Sequence, residues 1–190
     1  AMTRFYLVRH GDAYDQNGIQ LENYPLNNQG KIQALQLARR LKNNHFDAMY
    51  CSKIQRAIET CQIVNEPHGM NVVYTSALNE VGNEAWPQPG LPAVPAGIKD
   101  LREQSKKISE TFARFEKRHR GEEVILFTHG NWIRTLLTKL LSAHEADPLV
   151  FARFIIHNTS LTIIDVDEMG FEHIVSVSDA AHTHLYDTHI

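Results

Sequence analysis

Two short apolar segments that each run into a His-Gly pair constrain the fold of this chain more than any other feature. Residues 5–8 (FYLV) lead into Arg9-His10-Gly11, and residues 124–127 (VILF) lead into Thr128-His129-Gly130. Uninterrupted apolar runs of this length are typical of strands that are buried on both faces of a parallel sheet. Ligands of open α/β sheets bind at the carboxyl ends of the strands, so the two imidazoles are expected to meet over one pocket.

The remaining chain alternates between strand and helix patterns, which predicts an α/β fold with a mostly parallel sheet and helices on both faces. One domain is expected at this length of 190 residues. The proline- and glycine-rich segment 82–97 is expected to form a loop over the active site, and residues 182–190 a tail. Strands are predicted over residues 4–9, 46–51, 71–74, 124–128, 160–166 and 171–177, and helices over residues 29–43, 54–65, 98–119 and 131–141.

Five motifs in a fixed order make the chain resemble the histidine phosphatase superfamily, which includes phosphoglycerate mutases and small acid phosphatases. The resemblance runs from residue 4 to about residue 166. It implies a phosphoglycerate mutase-like fold and an enzyme that is a phosphatase without a cofactor. The motifs are Leu7-Val8-Arg9-His10-Gly11, Pro25-Leu26-Asn27-Asn28-Gln29-Gly30, Ser52-Lys53-Ile54-Gln55-Arg56-Ala57-Ile58-Glu59-Thr60, Leu78-Asn79-Glu80 and Thr128-His129-Gly130-Asn131.

Four side chains of these motifs suit phosphoryl transfer. His10 is the candidate nucleophile, because an imidazole can attack phosphorus and carry the phosphoryl group between two displacement steps. The attacking nitrogen must be neutral, so the other ring nitrogen needs an oriented partner, which the sequence does not identify. Arg9 and Arg56 are predicted to clamp the phosphoryl oxygens. His129 is predicted to donate a hydrogen bond to the charge that develops in the transition state.

A carboxylic acid with a raised pKa must protonate the leaving oxygen and later activate water. Glu80 is the first candidate because it matches the family position, and Glu84 is the alternative. Further substrate contacts are expected from loop residues around these side chains. They are Gly11 and Gly130, Asn131 at a helix start, Trp86 against the leaving group, and either Gln16 or Asn17 as an amide ligand of phosphate.

The loops that should form the pocket rim lack cations. No Lys or Arg occurs between Gly11 and Gly30 or between Pro67 and Ile98. A mutase must hold a second anionic group, so the sequence favours a metal-independent phosphomonoesterase acting on a small phosphorylated metabolite or a phosphopeptide. Three alternatives stay open: a phosphoglycerate-type phosphomutase, a phosphohistidine or phosphoprotein phosphatase, and a catalytically idle phosphate-binding module.

Charge and cysteine content bound the other functions. A net charge of −3 and the lack of a membrane-length apolar run predict neither nucleic-acid nor membrane binding. Cys51 and Cys61 are expected to be small buried thiols, which is consistent with a reducing cytoplasm. No metal site is predicted, and association into oligomers is left open. Asn158-Thr159-Ser160 matches a glycosylation sequon that a cytoplasmic chain does not use.

Overall fold

The structure of the chain is a computed structural model that describes residues 1–15, 17, 23–82 and 98–183, with only the backbone for residues 98–100. Residues 83–97 of the predicted loop and residues 184–190 of the predicted tail lie outside the described residues. Of the helices that the described residues form, none combines the length and the apolar composition needed to cross a bilayer.

Six strands form one mixed sheet in the order β3-β2-β4-β1-β5-β6. The first four strands pair in parallel, and β5 and β6 add an antiparallel hairpin at one edge. The predicted α/β fold is therefore confirmed, and each strand lies within two residues of its predicted ends. The strands are β1 Thr3–Arg9, β2 Ala48–Cys51, β3 Val72–Tyr74, β4 Glu123–Thr128, β5 Leu161–Val166 and β6 Glu172–Asp179.

The four longer helices also match their predicted positions. Asn27 starts the first of them, because its side-chain Oδ1 accepts a hydrogen bond from the Gly30 N–H at 2.8 Å. The patterns did not predict the shortest elements, which are only one turn long. The helices are α1 Asn28–Leu41, α2 Gln55–Asn65, α3 Ile98–Arg118, α4 Gly130–Leu141 and α5 Pro148–Phe151, with 3₁₀ turns at Ser76–Leu78 and Ala181–Thr183.

The helices cover both faces of the sheet, and successive residues of the central strands pack into different cores. Phe5 and Leu7 of β1 pack in the core that includes residues of α3 and α4. Tyr6 and Val8 pack in the core that includes residues of α1 and α2. Burial on both faces explains why these strands read as continuous apolar runs without polar alternation.

The pairing of β1 with β4 positions the two histidines. The strands are parallel neighbours, and the Cα atom of Arg9 is the register partner of that of Thr128. His10 directly follows the last residue of β1, and His129 directly follows the last residue of β4. Both histidines therefore lie at the same carboxyl edge of the sheet. The meeting of the two His-Gly pairs predicted from the sequence follows directly from this register.

Candidate active site

The four side chains assigned to phosphoryl transfer lie in one buried cluster. The rings of His10 and His129 are 5.1 Å apart between centroids and inclined at 60°. His10 is 1% exposed and His129 is fully buried, while Arg9 and Arg56 are 6% and 5% exposed. Two guanidinium groups and two imidazoles in one buried cluster form a site suited to an anionic tetrahedral group.

The structure identifies the partner of His10 that the sequence left open. The ring Nδ1 lies 2.7 Å from the carbonyl oxygen of Gly11, which can only accept, so Nδ1 carries the proton. The Nε2 lone pair faces Arg56, whose Nε–H donates to it at 3.1 Å. The pKa of His10 lies well below its ordinary value, first because of burial and then because of His129, Arg56 and Arg9. His10 is therefore neutral, with its lone pair on Nε2.

A set of hydrogen bonds holds the peptide that orients this imidazole. The Gly11 N–H donates to Thr60 Oγ1 at 2.9 Å, and the Asn158 side-chain amide donates to the His10 carbonyl at 3.0 Å. Gly11 must be a glycine, since a Cβ there would lie 2.6 Å from the carbonyl oxygen of Gly30. Asn158 was interpreted only as part of a sequon, and nothing in its local sequence indicated this contact across 148 positions.

Arg9 bonds to a distant backbone carbonyl and lies beside a glycine. Its Nη1 donates to the Ile156 carbonyl at 2.5 Å. A Cβ on Gly130 would approach the Arg9 Nε to 3.3 Å, so the absent side chain at Gly130 makes room for this arginine. Gly130 was predicted to contact the substrate, and among the described residues it leaves room for the side chain of Arg9.

His129 is the N-cap residue of α4, and its two ring nitrogens have different surroundings. Nε2 lies 2.8 Å from the Ser52 hydroxyl, whereas the buried Nδ1 has no hydrogen-bond partner among the described residues. Burial, followed by the charges of Arg56 and Arg9, holds the pKa of His129 well below its ordinary value. The ring is therefore neutral, and as far as the described residues show, Nδ1 is the nitrogen available to a ligand.

The carboxylate of Glu80 sits at the amino end of α4. Its Oε1 accepts from the N–H groups of Val81 at 3.0 Å and Trp132 at 3.1 Å, and its Oε2 accepts from Asn131 N–H at 3.3 Å. Burial raises the pKa of Glu80, and these donors and the nearby arginines oppose that rise. The Asn131 N–H group, expected to hold a substrate oxygen, bonds to the Glu80 carboxylate in this structure.

Arg134 is a third arginine beside the site that the sequence analysis did not single out. Its Nη1 donates to Asn131 Oδ1 at 3.2 Å, and its guanidinium stacks 4.1 Å above the Phe151 ring centroid. Burial lowers the pKa of Arg134 to about 10, the charge of Glu80 raises it and that of Arg9 lowers it. Its position three residues after Asn131 on one helix was the available signal.

Of the remaining candidates, the structure describes Asn17 alone. Asn17 lies exposed in a turn, where its N–H donates to Asp15 Oδ1 at 2.8 Å. Gln16, Glu84 and Trp86 lie outside the described residues. In the part of the chain that the structure describes, no three His, Cys, Asp or Glu side chains are grouped so that they could hold a metal ion.

The family model described as "Histidine phosphatase superfamily (branch 1)" matches residues 5–92 and 83–179. The chain therefore belongs to the histidine phosphatase superfamily, as the five motifs implied. A metal-independent phosphoserine phosphatase of Arabidopsis thaliana is 26% identical over 207 residues, which cover 95% of this chain and 83% of the relative. The expectation of a phosphatase of the histidine phosphatase type is thereby confirmed.

Solved structures share the fold. A mutant phosphoserine phosphatase from Entamoeba histolytica in complex with phosphoserine has a TM-score of 0.75 at 22% identity, with 95% of this chain and 98% of that chain covered. Phosphoglycerate mutase from Bacillus anthracis has a TM-score of 0.76 at 21% identity, with 96% of each chain covered. The fold is phosphoglycerate mutase-like, as predicted.

Proposed function

We propose that this phosphatase is a metal-independent phosphomonoesterase that transfers a phosphoryl group from its substrate to His10 and then to water. The observation that carries the proposal is the state of His10. A neutral ring whose Nδ1 proton bonds to the Gly11 carbonyl has its lone pair on Nε2, beside Arg56 in the positive cluster. This is the protonation state that an imidazole needs to attack phosphorus.

In the first step, His10 Nε2 forms a bond to phosphorus while the bond to the leaving oxygen breaks. Arg9 and Arg56 balance the charge on the phosphoryl oxygens, which is the role a metal ion has in other phosphatases. Glu80 in its protonated form gives its proton to the leaving oxygen, so the product is a neutral alcohol. In the second step, water attacks phosphorus, Glu80 takes a proton from it, and the bond to His10 breaks.

The relatives support a small phosphomonoester as the substrate. The Arabidopsis relative is named for phosphoserine and for metal independence, and one structural neighbour holds phosphoserine. Phosphoserine is therefore the first substrate to test on this chain. The phosphoglycerate-type mutase stays the alternative because a mutase shares the fold. The cytoplasmic location and the lack of nucleic-acid partners stay predictions.

The test is a phosphoenzyme trap combined with a variant. Acid-quenched enzyme supplied with phosphoserine or p-nitrophenyl phosphate should carry acid-labile phosphate on His10. His10→Ala should lose that label and about a thousandfold or more of the turnover, because the covalent step is lost. His144→Ala changes an exposed histidine and should act like wild type. Activity of His10→Ala within tenfold of wild type would overturn the proposal.

A further inference from the structure

The hydroxyl of Ser52 has its hydrogen-bonding roles assigned by its neighbours. The Lys53 backbone N–H can only donate, and it meets the side chain of Asn79 at 2.9 Å, so the atom there is the acceptor Oδ1. The Ser52 hydroxyl lies 3.0 Å from the same oxygen and therefore donates to it. A hydroxyl has one proton, so Ser52 has none left for another acceptor.

His129 must then be the donor in its contact with Ser52. The two lone pairs of the hydroxyl remain for the Ile54 N–H at 3.1 Å and for His129 Nε2 at 2.8 Å. The neutral imidazole consequently carries its proton on Nε2, and Nδ1 has a lone pair. Since Nδ1 is buried without a hydrogen-bond partner among the described residues, a ligand would meet a lone pair there.

The surroundings of His129 are positive on the sides that the described residues show. Arg9 faces it, together with the neutral ring of His10, from the end of β1, and Arg56 faces it from α2. Glu80 bonds instead to the amino end of the helix that His129 caps. In the empty site these charges favour the neutral ring. A bound phosphoryl dianion reverses the balance, because its oxygens repel a lone pair and attract an N–H.

We propose that Ser52 and Asn79 are positioning residues that hold His129 in its Nε2–H tautomer, so that the site binds a phosphoryl group together with one proton. The proton lies between His129 Nδ1 and a phosphoryl oxygen. It comes from water when a dianion binds, and it arrives on the ligand when a monoanion binds. The inference rests on the proposed function in that it places the phosphoryl group in the cluster of His10.

Proton uptake on binding inorganic phosphate tests this tautomer without any turnover. Calorimetric titrations at about pH 8.5, where phosphate is a dianion, are made in two buffers of different ionisation enthalpy. Wild type should take up about one proton for each phosphate bound. At about pH 5, where the ligand is already a monoanion, the uptake should fall towards zero.

Two variants should abolish the uptake by different routes. Ser52→Ala removes the acceptor at Nε2, so the ring can move its proton to Nδ1 and donate to the dianion directly. Asn79→Ala frees the Ser52 hydroxyl to donate to Nε2, which also leaves the ring proton on Nδ1. Ser52→Thr keeps the hydroxyl and should keep the uptake. Ser142→Ala removes a hydroxyl that bonds to Thr138 and Asp147 at the far end of α4, and should also keep it.

Either of two results would overturn the inference: wild type that binds the dianion without proton uptake, or Ser52→Ala and Asn79→Ala that retain the wild-type uptake. The wild-type measurement and Asn79→Ala decide the matter even where Ser52→Ala does not fold. A failed phosphoenzyme trap with intact proton uptake counts against the covalent mechanism alone. A successful trap without uptake counts against the tautomer alone.

Discussion

Replacing Glu80 by Gln tests the general acid with little change to the fold. The amide oxygen of Gln can take the place of Oε1, which accepts from Val81 and Trp132. The amide nitrogen then takes the place of Oε2, whose one hydrogen bond from the described residues is the long 3.3 Å bond from Asn131 N–H. Loss of that contact costs on the order of 1 kcal/mol, so the variant should fold and bind phosphate.

The kinetic effect should depend on the leaving group. A carboxylic acid that protonates the leaving oxygen contributes roughly 10² to 10⁴ in rate, or about 3 to 5 kcal/mol of barrier. An alkoxide such as that of serine is a poor leaving group and needs the whole of this contribution. Nitrophenolate leaves almost unaided. Glu80→Gln should therefore slow phosphoserine hydrolysis by a factor in that range and p-nitrophenyl phosphate hydrolysis only a few-fold.

The assay compares kcat/KM for the two substrates in wild type, Glu80→Gln and Glu84→Gln. Equal losses on both substrates in Glu80→Gln would refute proton donation by Glu80. Leaving-group dependence in Glu84→Gln alone would transfer the role to Glu84. The wild type should also hydrolyse phosphomonoesters without a bisphosphate primer and should not interconvert phosphoglycerates. Efficient interconversion would favour the mutase.

Two further predictions concern metals and pH. Hydrolysis should survive excess chelator, because Arg9, Arg56 and His129 stabilise the charge on the phosphoryl group without a metal; loss of activity that zinc or magnesium restores would contradict this. Between the ordinary pKa of histidine near 6.5 and their depressed folded values, His10 and His129 bind protons only when the chain is unfolded. As the pH falls through this range, each of the two histidines should therefore lower the free energy of unfolding by about 1.4 kcal/mol per pH unit. The free energy of unfolding, measured in urea at several pH values, should fall less steeply with decreasing pH in His10→Ala, by about 1.4 kcal/mol per pH unit. An equally steep pH dependence in wild type and His10→Ala would refute the burial argument.

The order of the strands and helices could be predicted from local patterns. Continuous apolar runs mark strands that are covered on both faces, and the stripe along α3 recurs with helical spacing. The motifs also named the four side chains that the structure brings together, because each ends a strand, follows one directly or lies in the first turn of a helix at the carboxyl edge of the sheet. Such positions depend on short-range sequence and on the general topology of α/β folds.

The partners of those side chains depend on contacts between distant segments. The polar atoms around His10 and His129 come from Thr60, Asn158, Ser52 and Asn79, and a polar residue's sequence neighbours do not reveal which buried atom it will face. His119 lies in a strongly charged stretch of sequence, yet it is buried and bonds to the Tyr50 hydroxyl at 2.6 Å. Buried polar groups form hydrogen bonds with groups that are distant in sequence, so only the tertiary structure decides which partner each one has.

The sequence by itself thus determined the α/β class, the family and the chemical groups of the site. Only the tertiary structure decided which ring nitrogen of each histidine carries its proton, and where the Glu80 carboxylate is held. The physical reason is that a tautomer depends on one donor or acceptor within about 3 Å. For His10 that atom is the carbonyl of Gly11, and for His129 it is the hydroxyl of Ser52, 77 positions away.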